Sequence, residues 1–194
     1  GRGERAGRDV APVVVSQDEG PNVGLTEQQL ALYPPLFKEL GSVTAGNSCP
    51  LNDGAAAAVV MSSARARELG CRPLGRIRGY AFIGVEPTRM GIGPAEALPL
   101  ALKRAGVTLT DLELIEVNEA FASVVLRFQQ AFDVDPALVN VNGGSIAMGH
   151  PLGATGAIII GTLLDELERQ DKALGLATLC IASGMGAATI IERV

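Results

Sequence analysis

The chain has 194 residues, of which 47% are hydrophobic and 24 are glycine, enough to bury a core of one large domain or of one domain with part of a neighbour. Its net charge of −5 gives no electrostatic attraction to nucleic acid or to an anionic membrane, so we expect neither as a partner. The three cysteines have no CxxC spacing and no even pairing, so we expect reduced thiols in a cytoplasmic compartment.

The first half of the chain has few regular elements. It opens on a charged, Gly-rich stretch without Met, which predicts a processed chain or part of a longer protein. A short strand is predicted at 11–15. Thr26 followed by Gln29 has the spacing of a capping box and predicts a helix start. The apolar run 55–61 predicts a buried strand, and 64–70 predicts a short helix.

The second half alternates strands with helices. Strands are predicted at 76–85, 112–117, 173–181 and 187–194, and helices are predicted at 95–106, 118–132 and 154–170. This alternation predicts an α/β domain with helices on both faces of one sheet. The last two strands can pair antiparallel across a Gly-rich turn, so the sheet is mixed. No apolar run approaches the roughly 18 residues that predict a membrane span.

The first candidate site is the step from strand to helix at 117–121, with the sequence VNEAF. Asn118 at this junction suits a helix N-cap, and Glu119 in the first turn suits the helix dipole. A structural cap is therefore one interpretation. In layered α/β folds this edge of the sheet also binds ligands, so a functional role is the other.

The second candidate site is the stretch 140–156, in which five residues are glycine and an apolar helix follows. It matches neither of the phosphate-binding patterns GxxxxGK[ST] and GxGxxG. It contains His150, the only histidine of the chain. A lone histidine is often a structural hydrogen-bonding residue, but a position in a loop before a helix favours a functional site.

The third candidate site is 180–186, where an apolar strand enters a turn of small residues. Cys180 is here either an inert core thiol or a reactive one. Backbone N–H groups in such a turn suit an oxyanion hole. One histidine and three separated cysteines provide no metal-ligand spacing, so we predict no metal site.

Taken together, the three segments resemble the signatures of the thiolase family, NEAFA, NxxGGxxAxGHPxGxxGA and CxGxGMGAA. The upstream runs VTAGNSCPLNDGAAA and MGIGPA resemble the entry to the C-terminal domain of thiolases. The resemblance extends from Val10 to Val194 and implies a thiolase-like layered fold with a mixed five-stranded sheet. It implies that 1–45 are the end of the thiolase loop region and a linker, and that 46–194 are the C-terminal domain.

Thiolases transfer an acyl group between an enzyme cysteine and coenzyme A, making or breaking a 3-ketoacyl-CoA without a covalently bound cofactor. By motif position, the resemblance implies that His150 activates the nucleophile and helps to bind a thioester oxygen. Cys180 is implied as the acid–base group at the α-carbon, and we expect a polar site to lower its pKa from about 8.5. Asn118 is implied to orient a water that completes one oxyanion hole with His150. The N–H of Ala182 is implied to form a second hole with the N–H of the nucleophile.

The resemblance also implies that the pantetheine arm of coenzyme A passes Cys49, Met90 and Phe121. Two positions depart from the family pattern. Ala182 stands where thiolases usually have glycine, and it would be strained if that position required a glycine-only backbone angle. Cys49 and Pro50 replace the more usual Ser-Gly, which removes a hydroxyl donor and stiffens the loop that faces the coenzyme.

The nucleophilic cysteine of the family lies in the N-terminal half, and none of Cys49, Cys71 and Cys180 has the matching context. We therefore expect the chain to be inactive alone and to need an N-terminal half, carried by the same or a separate polypeptide. The very apolar run 157–164 predicts a helix buried on all sides between two such halves. The family further implies a homodimer or tetramer that binds acyl-CoA.

Two other functions are compared with a thiolase. A non-catalytic, thiolase-like subunit that binds acyl-CoA or lipid agrees with the missing nucleophile and with Ala182. The presence of Asn118, His150 and Cys180 favours an enzyme, because a pure binding protein does not need all three. A ketoacyl synthase relative would share the fold but present a second histidine, where this chain has Cys180.

Overall fold

The computed structural model describes residues 14, 16–18 and 20–194. Its α-helices are α1 (Glu27–Leu30), α2 (Ser63–Glu68), α3 (Gly93–Ala105), α4 (Ala122–Phe132), α5 (Ser145–Met148) and α6 (Thr155–Arg169). Its strands are β1 (Gly75–Gly84), β2 (Leu114–Val117), β3 (Leu174–Ile181) and β4 (Met185–Arg193). Short 3-10 helices lie at Ala45–Asn47, Pro87–Ile92, Leu109–Asp111 and Pro136–Leu138. The strand predicted at 11–15 lies outside the described residues, apart from Val14.

The strands form one mixed sheet in the order β1-β4-β3-β2. β2 and β3 are parallel, whereas β4 runs antiparallel to both β1 and β3. The predicted mixed α/β sheet is confirmed, but its size of five strands is wrong, because the described sheet has four. At the open edge of β2, the described residues form only an isolated parallel bridge between Ile115 and Val139, which is too short to make a fifth strand.

Helices cover both faces of the sheet, as predicted. α3 and α4 pack on one face, where Leu98, Val124 and Phe128 are almost completely buried. α6 packs on the other face through Leu163 and Leu167. Successive residues of a strand point to opposite faces, so β2 and β3 supply side chains to both cores. β2 and β3 therefore lie in a rigid part of the sheet that helices cover on both faces.

The segment 55–61 was predicted as a buried strand, and this prediction is wrong for the described structure. The segment forms no strand and is exposed along its whole length. Val59 and Val60 are 85% and 75% exposed. A strand needs a neighbour to satisfy its backbone N–H and C=O groups, and none of the four described strands pairs with this segment. These apolar side chains therefore form a surface that the described part of the chain leaves uncovered.

The helices begin close to the predicted positions with one exception. The capping box before α1 is present, because Thr26 and Gln29 exchange hydrogen bonds between side chain and backbone. α4, in contrast, begins at Ala122 and not at 118, and Phe121 is its N-cap residue. The interpretation of Asn118 as a helix cap is therefore wrong.

α6 has 15 residues. A helix that spans a bilayer needs about 20. Within the described ranges, neither α6 nor any other helix is long and apolar enough for a membrane span.

Candidate active site

The three candidate segments meet at the carboxyl ends of β2 and β3. Asn118 extends β2 by one residue, and its N–H donates to the carbonyl of Thr178 at 2.9 Å. Its Nδ2 lies 3.3 Å from Nε2 of His150. Cys180 lies two residues beyond Thr178 on β3. Asn118, His150 and Cys180 are all buried. The fold thus joins Asn118 and His150 directly and places Cys180 at the same end of the sheet.

Asn140 pairs with the open edge of β2 at the last residue of that strand. Its side-chain amide pairs with the backbone of Val117 as a neighbouring strand would: Oδ1 accepts from the N–H at 2.8 Å, and Nδ2 donates to the carbonyl at 2.9 Å. Asn140 has a φ of +49°, a conformation that asparagine tolerates better than most residues. These bonds satisfy the N–H and carbonyl of Val117 on the edge of β2 that faces away from β3.

Glu119 connects the end of β2 to the glycine-rich stretch. Its carboxylate accepts from Nδ2 of Asn140 at 3.2 Å and from the N–H of Ile146 at 3.1 Å. Gly144 lies so close to this carboxylate that a Cβ at residue 144 would overlap it. The requirement for glycine at this point is therefore steric and comes from the contact with Glu119.

His150 is held by both its ring and its backbone. Nδ1 lies 2.7 Å from Oγ1 of Thr155, and the backbone N–H donates to Oδ1 of Asn52 at 3.1 Å and to the carbonyl of Pro50 at 3.2 Å. Burial lowers the pKa of the imidazole below its ordinary value of 6.5. The ring is therefore neutral at pH 7, with one nitrogen able to accept a proton.

Asn118 is fixed at its other end by Ser145. The Oγ of Ser145 lies 2.5 Å from Oδ1 of Asn118, and both side chains are buried. The amide of Asn118 therefore lies between a hydroxyl and the imidazole of His150, an arrangement that restricts its rotation.

Cys180 lies near the end of β3, opposite Gly186 of β4. Burial raises the pKa of its thiol to about 11, with a smaller contribution from the neighbouring Cys49. The sequence led us to expect a lowered pKa, and the direction is opposite because the thiol belongs to the apolar core beneath α3 and α4. At neutral pH the thiol is protonated, which suits a proton donor.

The turn between β3 and β4 carries its backbone strain at Ser183. Ser183 and Gly184 have φ angles of +70° and +86°, whereas Ala182 has no positive φ. Gly184 lies against the carbonyl of Val85, leaving no room for a Cβ. The strain considered for Ala182 is therefore absent, because the left-handed positions of the turn are the next two residues.

Cys49 and Phe121 lie on either side of one backbone contact at the edge of the site. The N–H of Cys49 donates to the carbonyl of Ala120 at 3.1 Å, and partial burial raises the pKa of its thiol. The ring of Phe121 packs edge-on against Phe37, with ring centroids 5.9 Å apart. Met90 lies on a separate 3-10 helix, and it packs with Phe121 against the core beneath α3 and α4.

Three residues that hold these groups received no role from the sequence: Asn140, Ser145 and Thr155. Glu119 was expected in the first turn of a helix, but α4 begins at Ala122, and its carboxylate instead accepts from Asn140 and Ile146. The contacts of all four residues join segments that lie more than twenty residues apart, except for the contact of Thr155 with His150. The available signal for Thr155 was a hydroxyl five residues after the lone histidine, at the start of an apolar helix. No comparable local signal pointed to the others.

The arrangement is suited to proton transfer and to binding a developing oxyanion. It combines a neutral imidazole, an oriented amide and a protonated thiol at the edge of a rigid sheet. Across the described ranges, no group of three or more His, Cys, Asp or Glu side chains is placed to hold a metal ion.

Family models match nearly the whole chain. Residues 71–193 match the model described as "Thiolase, C-terminal domain", and residues 4–64 match "Thiolase, N-terminal domain". Among curated proteins, the acetyl-CoA acetyltransferase of Escherichia coli (strain K12) is 51% identical over 180 residues, which are 93% of this chain and 46% of the relative. The peroxisomal 3-ketoacyl-CoA thiolase B of Mus musculus is 48% identical over 95% of this chain and 44% of the relative.

Solved structures agree with these matches. The acetyl-CoA acetyltransferase of Bacillus anthracis superposes with a TM-score of 0.88 at 46% identity, over 94% of this chain and 46% of that protein. The human mitochondrial 3-ketoacyl-CoA thiolase in complex with CoA superposes with a TM-score of 0.85 at 41% identity, over 93% of this chain and 46% of that protein. The chain spans about half the length of the curated relatives that it matches.

Proposed function

This chain belongs to the thiolase family, and from that premise we propose that it is the acid–base half of a thiolase that transfers an acyl group between a cysteine and coenzyme A. The observation that carries the proposal is the contact between Asn118 and His150 beside Cys180. Acid–base chemistry needs such groups in fixed mutual positions, and a surface that only binds a ligand does not.

In the cleavage direction, the reaction begins with a cysteine thiol of the N-terminal half. Nε2 of His150 takes the proton of that thiol, and the thiolate attacks the keto carbon of a 3-ketoacyl-CoA. The bond between the keto carbon and the α-carbon breaks, and its electron pair leaves with acetyl-CoA as an enolate. The acyl group remains on the enzyme cysteine as a thioester.

Cys180 completes this half-reaction by giving its proton to the α-carbon of the enolate. The raised pKa of about 11 supports this role, because the thiol still carries its proton at neutral pH. The thiol of the incoming coenzyme A then gives its proton to Cys180 and attacks the acyl thioester. The bond between the acyl group and the enzyme cysteine breaks, and the released thiolate takes its proton back from His150. Condensation of two acyl groups is the same sequence in reverse.

Two oxyanions develop during the reaction, and donors are assigned to each. Asn118 and His150 stabilise the enolate oxygen of the acetyl group, and the N–H of Ala182 binds the oxygen of the group on the nucleophile. The ordinary backbone angle of Ala182 supports this assignment, because alanine costs no strain there. Ser183 instead carries the strain of the turn.

The proposed ligand is acyl-CoA, bound as a substrate and not as a resident cofactor. One structural relative is a human thiolase in complex with CoA. We assign Cys49, Met90 and Phe121 to the path of the pantetheine arm, because all three lie at the edge of the site or against the core beneath it. Phe37 contacts Phe121 and extends this apolar wall.

The proposed partner is an N-terminal thiolase half that carries the nucleophilic cysteine. Cys180 has the acid–base position, Cys71 is exposed beyond α2, and Cys49 lies in the proposed path of the coenzyme. The uncovered segment 55–61 falls inside the match to the N-terminal domain model, which supports pairing of this segment with a sheet of that half.

α6 supports the same partner. The helix was expected to be buried on all sides, but Ile158 is 38% exposed and Gly161 is exposed as well. One apolar face of α6 is therefore open in the described part of the chain, where a second half would cover it. Without that half we expect no turnover, whether it lies on the same polypeptide or on another.

Residues 46–194 are proposed to act as one C-terminal unit, with 1–45 as the end of the loop region. Backbone contacts support this division, because the carbonyl of Pro50 accepts from His150 and Leu51 forms a bridge to it. We further propose a cytoplasmic homodimer or tetramer. The reduced cysteines expected from the sequence agree with that location.

The second candidate function is a thiolase-like subunit that binds acyl-CoA or lipid without chemistry. The specific observation in its favour is that none of the three cysteines has the context of the nucleophile. Asn118, His150 and Cys180 would then hold no catalytic role.

A chimera decides between the two functions. The N-terminal half of the Escherichia coli relative would be fused to this chain, and cleavage of acetoacetyl-CoA would be measured in the presence of coenzyme A. We expect activity that is lost in His150→Ala and Cys180→Ala, while Cys71→Ala, which removes an exposed thiol, remains active. A folded chimera that binds coenzyme A but shows no cleavage would support the binding subunit instead.

A further inference from the structure

A continuous line of hydrogen bonds crosses the site from one structural element to another. It contains, in order, the carbonyl of Pro151, Thr155, His150, Asn118 and Ser145, with successive distances of 3.0, 2.7, 3.3 and 2.5 Å. Thr155 is the first residue of α6, and Ser145 is the first residue of α5. Both outer residues are buried, so water does not replace their hydroxyls easily.

The ends of this line set the direction of every proton within it. The hydroxyl of Thr155 donates to the carbonyl of Pro151, so the lone pair of its oxygen accepts from Nδ1–H of His150. Nε2 is then unprotonated and accepts from Nδ2–H of Asn118. Oδ1 of Asn118 in turn accepts from the hydroxyl of Ser145.

The opposite direction satisfies fewer groups. It requires Thr155 to donate to Nδ1, Nε2–H to donate to an inverted amide of Asn118, and the amide to donate to Ser145. The buried hydroxyl hydrogen of Ser145 would then have no acceptor among the hydrogen bonds of the described residues. A buried donor left unpaired costs about 1–3 kcal/mol, so the first direction prevails.

We propose that Thr155 and Ser145 are positioning residues that hold His150 in the tautomer with the proton on Nδ1 and the lone pair of Nε2 directed to Asn118. The inference rests on the proposed function, because an unprotonated Nε2 can take the nucleophile's proton once that thiol replaces the amide of Asn118 at its single lone pair. After that transfer Nδ1–H remains bound to Thr155, and the new Nε2–H becomes a donor to the substrate oxygen.

The tautomer is measurable without any activity. The chain contains one histidine, so labelling with 15N-histidine gives nuclear magnetic resonance signals from His150 alone. In the full 194-residue chain we expect Nδ1 to have the shift of a protonated nitrogen and Nε2 that of an unprotonated one. Thr155→Val removes the hydroxyl at nearly constant volume, and it should shift the population towards Nε2–H, whereas Thr155→Ser should retain the original tautomer.

Activity of the chimera supplies an independent readout. Thr155→Val should lower kcat about 10- to 100-fold at constant KM, as expected when the partner that orients a reactive histidine is lost. Thr155→Ser should restore kcat. Thr110→Val makes the same threonine-to-valine change at an exposed residue, and it should leave kcat unchanged.

Two results would overturn the positioning role. One is a wild-type chain with the proton on Nε2, which needs no variant to fold. The other is a Thr155→Val variant with the tautomer and kcat of the wild type. An inactive wild-type chimera whose His150 carries its proton on Nδ1 would instead contradict the proposed function and leave the hydrogen-bond line intact.

Discussion

Replacement of Asn140 by alanine is expected to lower the free energy of unfolding by about 3–7 kcal/mol. The variant loses the two hydrogen bonds to Val117, whose N–H and carbonyl lie in a residue only 1% exposed. Each buried group left unpaired costs about 1–3 kcal/mol. Asn140 also has a φ of +49°, and alanine is less tolerant of that angle by about 1 kcal/mol. Asn140→Gly avoids the cost of the positive φ, so its loss of stability measures the contribution of the hydrogen bonds.

The assay is urea unfolding of the full chain, followed by far-ultraviolet circular dichroism. With a denaturant dependence of about 1–3 kcal/mol per molar urea, the midpoint should fall by about 1 M or more. Asn22→Ala is the matched control, because Asn22 is exposed, and its stability should change by less than about 0.5 kcal/mol. An Asn140→Ala variant as stable as this control would refute the view that the amide of Asn140 stabilises the open edge of β2.

Three further predictions concern strain, reactivity and pH. Ser183→Gly should raise the midpoint of thermal unfolding, because glycine relieves a φ of +70° at a net gain of about 0.5–1 kcal/mol, whereas Ser183→Val should lower it. Mass spectrometry after brief iodoacetamide treatment at pH 8 should find Cys71 alkylated and Cys180 intact, since a pKa of about 11 leaves about one thiol in a thousand ionised. Burial raises the pKa of Glu116 from 4.5 to about 7, so the folded state holds this proton more tightly than the unfolded state. Its contribution to stability is complete below pH 4.5 and is lost as the pH rises to 7, by up to about 3 kcal/mol. Urea unfolding at pH 5 and pH 8 should show this decline, and Glu116→Gln should reduce it.

Different observations would contradict each of these predictions. A lower melting temperature for Ser183→Gly would indicate that the hydroxyl stabilises the turn by more than the strain costs. Rapid alkylation of Cys180 at pH 8 would show that the thiol is neither buried nor weakly acidic. An equal dependence of stability on pH in the wild type and in Glu116→Gln would assign the titration to other groups.

The sequence predicted those parts of the fold that depend on local pattern. β3 is recognisable as an apolar run of strand length, and α6 is recognisable because its apolar residues recur with the period of a helix. The family resemblance also placed Asn118 and His150 in one site, and the two side chains are in contact. What the sequence could not supply is the set of contacts that holds this pair.

The failures depend on contacts between distant parts of the chain. The run 55–61 has the composition of a strand, but a strand exists only where another strand pairs with it. The direction of the pKa shift of Cys180 depends on which face of β3 the thiol occupies, and that face carries the apolar core. The amide of Asn140 imitates a strand only because residue 117 lies beside it in space.

In the proposed mechanism, this chain moves protons and its N-terminal partner holds the acyl group. Intact-mass analysis tests this mechanism when acetoacetyl-CoA is added to the chimera, the reaction is quenched with acid, and the acyl group is located by peptide mapping. We expect acetyl thioester on a cysteine of the N-terminal half, and none on Cys49, Cys71 or Cys180. An acetyl group on any of these three cysteines would contradict the mechanism, because this chain would then supply the nucleophile itself.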